Sequence, residues 1–139
     1  VDHHSGSEEH QLNEEYFDED IYDFKEKRVN SFPLLIKNIN DHKMQNIVPI
    51  ISDAYDLSSK WSAKLGMLFI DGGHSLESAM SDYNSWESKI LCNGALVIHD
   101  IYEKPEDGGQ APFEIYKKAL ENNYKLYERV DTIVCLIKG

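Results

Sequence analysis

Three short apolar runs, each followed within two residues by an aspartate, limit most strongly what this chain can fold into. The runs and their aspartates are IVPII with Asp53, MLFI with Asp71 and ALVI with Asp100. Apolar runs of this length predict buried strands, and Pro49 places the first one at a sheet edge or a bulge. Because helical patterns lie between and after the runs, the sequence predicts an α/β fold built on a parallel sheet.

The connecting segments carry helix signals, and the C-terminal tail carries strand signals. Helical spacing predicts helices over residues 31–39, 75–90 and from 112 to a stop at 122–123. Ser31 and Ser75 stand at N-cap positions, and Pro33 suits a first turn. The tail YKLYERVDTIVCLIKG predicts strands at 125–129 and 133–137 joined by a turn at Asp131. This C-terminal antiparallel hairpin would extend one edge of the sheet.

The composition excludes several classes of partner. Acidic residues outnumber basic ones by 25 to 14, and the net charge of −11 argues against binding to nucleic acid. No apolar run approaches the roughly 18–20 residues of a membrane span, and no signal-peptide pattern opens the chain. Cys92 and Cys135 both lie in apolar surroundings, which favours buried free thiols and a cytoplasmic location.

Residues 1 to about 27 form an acidic, loop-rich segment within what we predict to be a single domain of 139 residues. Two interpretations of its acids remain open: a solvated surface, or one or two ligands for a metal. The acids are Glu8, Glu9, Glu14, Glu15, Asp18, Glu19, Asp20, Asp23 and Glu26.

Two of the strand-end aspartates are expected to lie close together. Ligands of open α/β sheets bind at the carboxyl ends of the strands. Asp71 and Asp100 would end adjacent strands, with side chains roughly 5 Å apart. Carboxylates at that distance repel each other unless a cation or a proton lies between them, and Mg²⁺ prefers such oxygen ligands. The alternative is that these aspartates only cap the turns that follow.

The stretch FIDGGHS adds a possible base to this edge. Gly72 and Gly73 permit a tight turn and let the backbone approach a ligand closely. His74 then stands at the start of a helix, where the helix dipole favours the neutral imidazole that a general base needs near pH 7. The alternative is a common Asp-Gly-Gly turn with no catalytic role.

Three segments, IVPIISDA, LGMLFIDGGHSLESAMSDYNSW and CNGALVIHDI, carry a family resemblance. In this order and spacing they resemble the class I S-adenosylmethionine-dependent methyltransferases. The likeness is greatest to the group with F-I-D-G-x-H-S/T-Y and G-G-x-x-x-x-H-D motifs, which includes sugar and macrolide-sugar O-methyltransferases. The resemblance covers most of the chain. It implies a Rossmann-like sheet of strand order 3-2-1-4-5-7-6, here N-terminally incomplete, which ends in an antiparallel hairpin.

The resemblance also implies a cofactor site for S-adenosylmethionine. Asp2, in VDHH, would match the acid that closes the family's second strand and binds the ribose. Ser52 and Asp53 would match the pair that contacts adenine after the third strand. Asp71 and Gly72, at the end of the fourth strand, would complete the cofactor-binding residues.

The catalytic residues follow by the same correspondence. Asp71 and Asp100 would match the family's metal-binding aspartates, and His74 its catalytic base. A magnesium ion would orient two vicinal hydroxyls of a sugar or polyol acceptor, and His74 would deprotonate one of them for attack on the cofactor's methyl group.

The family's first strand and Gly-rich cofactor loop are not found in this sequence. Together with Val1 in place of methionine, this predicts a truncated gene or chain whose methyl transfer is impaired. The strand edge left open would be hydrophobic and would favour a homo-oligomer, such as a dimer.

Two functions outside catalytic methyl transfer stay open. One is an inactive α/β fragment or a self-associating binding module. The other is a metal-dependent enzyme of a different class, in which Asp71 and Asp100 work with His3, His4 or His99. Against this second function, His3 and His4 are more typical of loop residues, and His99 of a strand-end histidine whose hydrogen bonds are satisfied.

Overall fold

The structure, a computed structural model, describes residues 1–6, 10–14, 17–73 and 75–139. By internal contacts the chain divides into two units, Val1–Asp56 and Leu57–Gly139. The expectation that residues 1–139 act as a single domain stays a prediction.

The first unit holds a short hairpin and a helix. Their bounds are β1 (Tyr22–Asp23), β2 (Arg28–Val29) and α1 (Phe32–Asp41), and α2 (Ala54–Ser58) follows at the boundary with the second unit. Helix α1 confirms the helix predicted after Ser31, with proline in its first turn. Within the described residues, however, the Ser31 side chain makes no capping hydrogen bond to α1.

Two acids of the N-terminal segment cap local turns. Asp18 Oδ1 accepts a hydrogen bond from the Asp20 backbone N–H at 2.9 Å. Asp23 Oδ1 accepts from the backbone N–H groups of Lys25 and Glu26. The bond from Glu26 is the main cause that lowers the pKa of Asp23 below its usual value. For these two acids, turn geometry accounts for the choice of residue.

The predicted buried strand at 47–51 is wrong. Only Ile51 pairs there, in an isolated parallel bridge with Asp2, and Val48 is 82% exposed. Pro49 has no N–H to donate, and the described residues supply no second strand along this run. Without a ladder on either side, the apolar run stays irregular.

The second unit contains a four-stranded mixed sheet. Its strands are β3 (Leu65–Ile70), β4 (Ile90–Ile98), β5 (Tyr124–Val130) and β6 (Ile133–Lys138), in the order β3-β4-β6-β5. β3 and β4 are parallel, and β6 is antiparallel to both β4 and β5. This confirms the α/β class, the C-terminal hairpin and the 4-5-7-6 part of the expected strand order.

Helices α3 (Leu76–Trp86) and α4 (Ala111–Glu121) pack on one face of this sheet. The largest fully buried side chains of this core are Tyr83, Leu96, Ile98, Ile101, Ile115, Leu136 and Val134. Ser75 caps α3 as predicted, because its side chain accepts a hydrogen bond from the Ser78 N–H at 3.2 Å.

The prediction that this helix runs to Ile90 is wrong. A 3₁₀ turn over Glu87–Lys89 follows Trp86, and Ile90 begins β4 opposite Leu65. Ile90 fits the apolar spacing of the helix, yet it is also the first apolar residue of the strand. Asn93, with φ +62°, lies where the register between β3 and β4 shifts.

The face of β3 that points away from α3 and α4 is more exposed than expected for a buried strand. Met67 is 62% exposed and Phe69 is 49% exposed, whereas Ile70 is buried. Strand side chains alternate between faces, and only one face meets α3 and α4. Among the described residues both cysteines are free, as predicted, but neither is buried: Cys92 is exposed and Cys135 is half-buried. No helix in the described ranges is long and apolar enough to span a bilayer.

Candidate functional site

The carboxyl ends of β3 and β4 bring the predicted acids to one edge of the sheet. Ile70 is paired with Ile98, so both strands end at the same level. The His99 N–H then donates to the Ile70 carbonyl at 3.1 Å, which extends the contact past the last pair. Asp100 takes a left-handed backbone conformation, with φ +58°, as the chain leaves the sheet. Aspartate tolerates this conformation better than most residues.

Two carboxylates and an imidazole meet there. His99 Nδ1 lies 2.9 Å from Asp71 Oδ1 and 3.4 Å from Asp100 Oδ2. One ligand atom from each of the three residues falls within 4.8 Å of the others. This spacing agrees with the distance expected for adjacent strands. We call Asp71, His99 and Asp100 the strand-end cluster.

The donor set of the strand-end cluster fits a hard divalent cation. Carboxylate oxygens suit Mg²⁺ and Mn²⁺, and a cation between Asp71 and Asp100 would offset their repulsion. The hydrogen bond from His99 to Asp71 also suits the common arrangement in which a second residue orients a metal-binding carboxylate. This contact agrees with the expectation that His99 is a satisfied strand-end histidine.

A cavity of about 10 Å³ opens beside the cluster, close to the space that one water molecule needs. Its polar and glycine lining consists of Asp71, Gly72, Gly73, Asp82, His99 and Asp100. Asp82 comes from α3 and was missed by sequence reasoning. The available signal was a polar residue three positions after the buried Ala79, on the same face of the helix.

Gly72 leaves room for Asp82. A Cβ at position 72 would lie 3.0 Å from Asp82 Oδ2, closer than real Cβ atoms comfortably allow. The absence of a side chain here therefore has a local structural cause, apart from any ligand. His74, the predicted base, lies outside the residues that the structure describes.

The predicted nucleoside-binding residues come together in the first unit. The Asp2 N–H donates to the Ile50 carbonyl, and the Ser52 N–H donates to the Asp2 carbonyl, each at 3.2 Å. Asp2 is thus held beside Ser52 and Asp53, as the parallel order of the family's second and third strands implies.

The Asp53 side chain also stabilises the start of α2. Its Oδ1 accepts hydrogen bonds from the N–H groups of Tyr55, at 2.8 Å, and Asp56, at 3.1 Å. These bonds cap the first turn of α2, which is the alternative that the sequence left open for strand-end aspartates.

The site residues thus form two groups, each described within its own unit. Asp2, Ser52 and Asp53 belong to the first unit, and the strand-end cluster with Gly72 and Asp82 belongs to the second. Of the histidines considered as metal ligands, His99 lies with the acids of the cluster. His4 is buried within the first unit, at hydrogen-bond distance from Ser31.

A family model described as "methyltransferase domain" matches residues 1–101 of the chain. The match includes both groups of candidate site residues.

Solved structures of methyltransferases share the fold. A proposed caffeoyl-CoA O-methyltransferase from Staphylococcus aureus aligns with a TM-score of 0.59 at 13% identity, over 78% of this chain and 59% of that one. A proposed methyltransferase from Streptococcus mutans, in complex with SAH, aligns with a TM-score of 0.55 at 10% identity, over 78% and 70%. An rRNA methylase from Streptococcus thermophilus gives 0.55 at 17% identity, over 78% and 67%.

At these identities the likeness concerns the fold alone. The chain spans about three fifths of the Staphylococcus aureus protein, and about two thirds of the other two.

Proposed function

This chain belongs to the methyltransferase domain family, and from that premise we propose that it is part of an S-adenosylmethionine-dependent O-methyltransferase. The acceptor is a hydroxyl group of a sugar or polyol, and a divalent cation assists the reaction. The observation that carries this proposal is the strand-end cluster, in which Asp71, His99 and Asp100 converge within 4.8 Å. A cation bound there would offset the repulsion between the two carboxylates.

The first unit supplies the nucleoside end of the cofactor site. The Asp2 carboxylate accepts hydrogen bonds from the ribose hydroxyls, and Ser52 with Asp53 contacts the adenine. The adjacency of Asp2 and Ser52 through their backbone hydrogen bond supports this assignment. The bound cofactor supplies the electrophilic methyl group.

The second unit contains the residues proposed to act on the acceptor. Asp71 and Asp100 hold the cation, for which Mg²⁺ is the expected ion, and His99 keeps the Asp71 carboxylate oriented. When bound, a cation would supply positive charge that favours the loss of a proton from an acceptor hydroxyl. His74 accepts that proton, as the general base of the reaction.

We expect that the acceptor is not a nucleic acid. One structural neighbour is an rRNA methylase, but this chain carries a net charge of −11. Binding to RNA draws most of its free energy from neutralised phosphates, which requires basic surface. A small neutral acceptor avoids this repulsion.

Titration calorimetry tests the proposal. The chain is titrated with S-adenosylhomocysteine in the presence and absence of Mg²⁺, and Asp2→Asn is compared with the exposed control Glu121→Gln. We expect saturable binding that Asp2→Asn weakens about tenfold or more, because a hydrogen bond to a charged group is lost. No heat of binding from the unmodified chain would contradict the proposal.

A second candidate function is an inactive, self-associating module. The observation that favours it is the exposed apolar face of β3, at Met67 and Phe69, on a strand at the edge of its sheet. Unpaired strand edges of this kind promote association between copies. Binding of S-adenosylhomocysteine would distinguish the two functions, since a self-associating module does not require this ligand.

A further inference from the structure

His4 is a buried histidine that the proposed mechanism leaves unexplained. It is 9% exposed and takes a left-handed backbone conformation, with φ +59°. Among non-glycine residues, asparagine, aspartate and histidine adopt this conformation more often than most. A buried polar residue in contact with a predicted ligand-binding acid is a candidate for a role at that site.

Four contacts hold His4 in place. Its N–H donates to Asp2 Oδ1 at 2.6 Å. Its carbonyl accepts from the Ser31 N–H at 3.2 Å. Its ring Nδ1 shares a hydrogen bond with Ser31 Oγ at 2.8 Å, and the ring centroid lies 5.2 Å from that of Phe32. The backbone and the ring of His4 therefore tie the Asp2 side chain to the start of α1.

Ser31 stands at the N-cap position of α1, and its hydroxyl contacts the His4 ring. Serine at an N-cap ordinarily bonds to a backbone N–H of the first helical turn. Here, within the described residues, Ser31 makes no such bond, and its Oγ is at hydrogen-bond distance from His4 instead. Removing this hydroxyl would loosen His4 without removing a helix cap.

We propose that His4 is a positioning residue for the carboxylate of Asp2. In the left-handed turn at His4, the N–H bonds to Oδ1, which restrains the rotation of the carboxylate. The buried ring, anchored on Ser31 and Phe32, keeps that turn from relaxing. The inference rests on the proposed function, because the ligand of the fixed carboxylate is taken to be the vicinal diol of a ribose.

The test compares two nucleosides on the full chain. Adenosine carries the 2′- and 3′-hydroxyls, and 2′,3′-dideoxyadenosine lacks both. The unmodified chain should bind adenosine roughly tenfold or more tightly, since the carboxylate bonds only to the diol. The ratio of the two dissociation constants reports the orientation of Asp2, whereas a general loss of structure would weaken both ligands alike.

Four substitutions define the expected pattern. Asp2→Asn should bring the ratio close to one. His4→Ala and Ser31→Ala should each lower it at least threefold. His4→Asn should keep most of it, because asparagine tolerates the left-handed conformation and places a polar atom where Nδ1 lies. His42→Ala, an exposed histidine of the same unit, should leave it unchanged.

The outcomes separate the two claims. If the unmodified chain binds neither the nucleosides nor S-adenosylhomocysteine, the proposed function fails and this inference fails with it. If it binds S-adenosylhomocysteine but does not prefer adenosine to 2′,3′-dideoxyadenosine, the inference alone is overturned. If the unmodified chain discriminates and both His4→Ala and Ser31→Ala keep the full ratio, the inference alone is overturned. Equal weakening of both nucleosides by His4→Ala also overturns it. Should His4→Ala not fold, Ser31→Ala and His4→Asn decide the question.

Discussion

The Nδ1 atom of His99 lies 2.9 Å from Oδ1 of Asp71, across two parallel strands and 28 positions apart in the chain. This hydrogen bond links the residue after β3 to the residue after β4. It holds one carboxylate of the strand-end cluster in a defined orientation, with the second carboxylate, Asp100, within 3.4 Å of the same nitrogen.

Replacing His99 should therefore weaken cation binding without abolishing it. We expect His99→Ala to lower the affinity for Mn²⁺ roughly 10- to 100-fold, as observed when residues that orient metal ligands are removed. Electron paramagnetic resonance of free Mn²⁺ during a titration measures the affinity. His42→Ala is the control and should behave like the unmodified chain. Unchanged affinity in His99→Ala would show that the histidine does not orient Asp71.

Gly72→Ala should destabilise the fold through Asp82. The added Cβ would lie 3.0 Å from Asp82 Oδ2, so the carboxylate must move. We expect a loss of about 1 kcal/mol in the free energy of unfolding, measured with urea. Gly66→Ala is a matched control, because no atom lies within 4 Å of a Cβ there.

The cause is checked by a double-mutant cycle. Asp82→Ala removes the atom in contact, so Gly72→Ala should cost little in that background. If the cost of Gly72→Ala is the same with and without Asp82, the contact is not its cause.

Tyr124 should make the fold sensitive to alkaline pH. Burial, and then the nearby charge of Glu87, raises the pKa of its phenol well above the ordinary value near 10. Because the folded-state pKa is the higher one, the stabilising contribution is fully present below about pH 10 and is lost as the pH rises further. Urea unfolding at pH 8 and pH 11 should show a larger loss for the unmodified chain than for Tyr124→Phe. Equal losses would contradict this assignment.

The exposed strand edge should produce association. We expect the chain to form dimers whose fraction rises with concentration in sedimentation equilibrium. Met67→Lys places a charge on β3 and should shift the chain toward monomer. Val48→Lys, which changes an even more exposed apolar residue outside the sheet, should not. If the unmodified chain is monomeric at all concentrations, the prediction of association is wrong.

The helices and the hairpin could be predicted from local signals. Ser75 caps α3, and Asp131, with φ +49°, lies in the turn between β5 and β6. Each of these depends on the chemistry of a few neighbouring residues. The adjacency of Asp71 and Asp100 was also predictable, because parallel strands joined by one helix end at the same edge of a sheet.

The features that were not predicted depend on contacts with other parts of the chain, which a local sequence pattern does not specify. Residues 47–51 have strand composition, but a strand requires a neighbour along its length, and only Ile51 has a bridge. Ile90 satisfied two periodicities at once, and its pairing with Leu65 decided between them. Asp82 lines the same cavity as Gly72, and His4 is at hydrogen-bond distance from Ser31, and neither relation follows from a local pattern.

A cation bound at the carboxyl ends of β3 and β4 is central to the proposed function. Amide resonances of the labelled chain are followed during addition of Mn²⁺, which broadens signals from nearby nuclei. We predict that the amides of Asp71, Gly72 and Asp100 broaden first, and that Asp71→Asn with Asp100→Asn abolishes this effect. Broadening that begins instead at the acidic N-terminal segment, and persists in the double variant, would contradict the account.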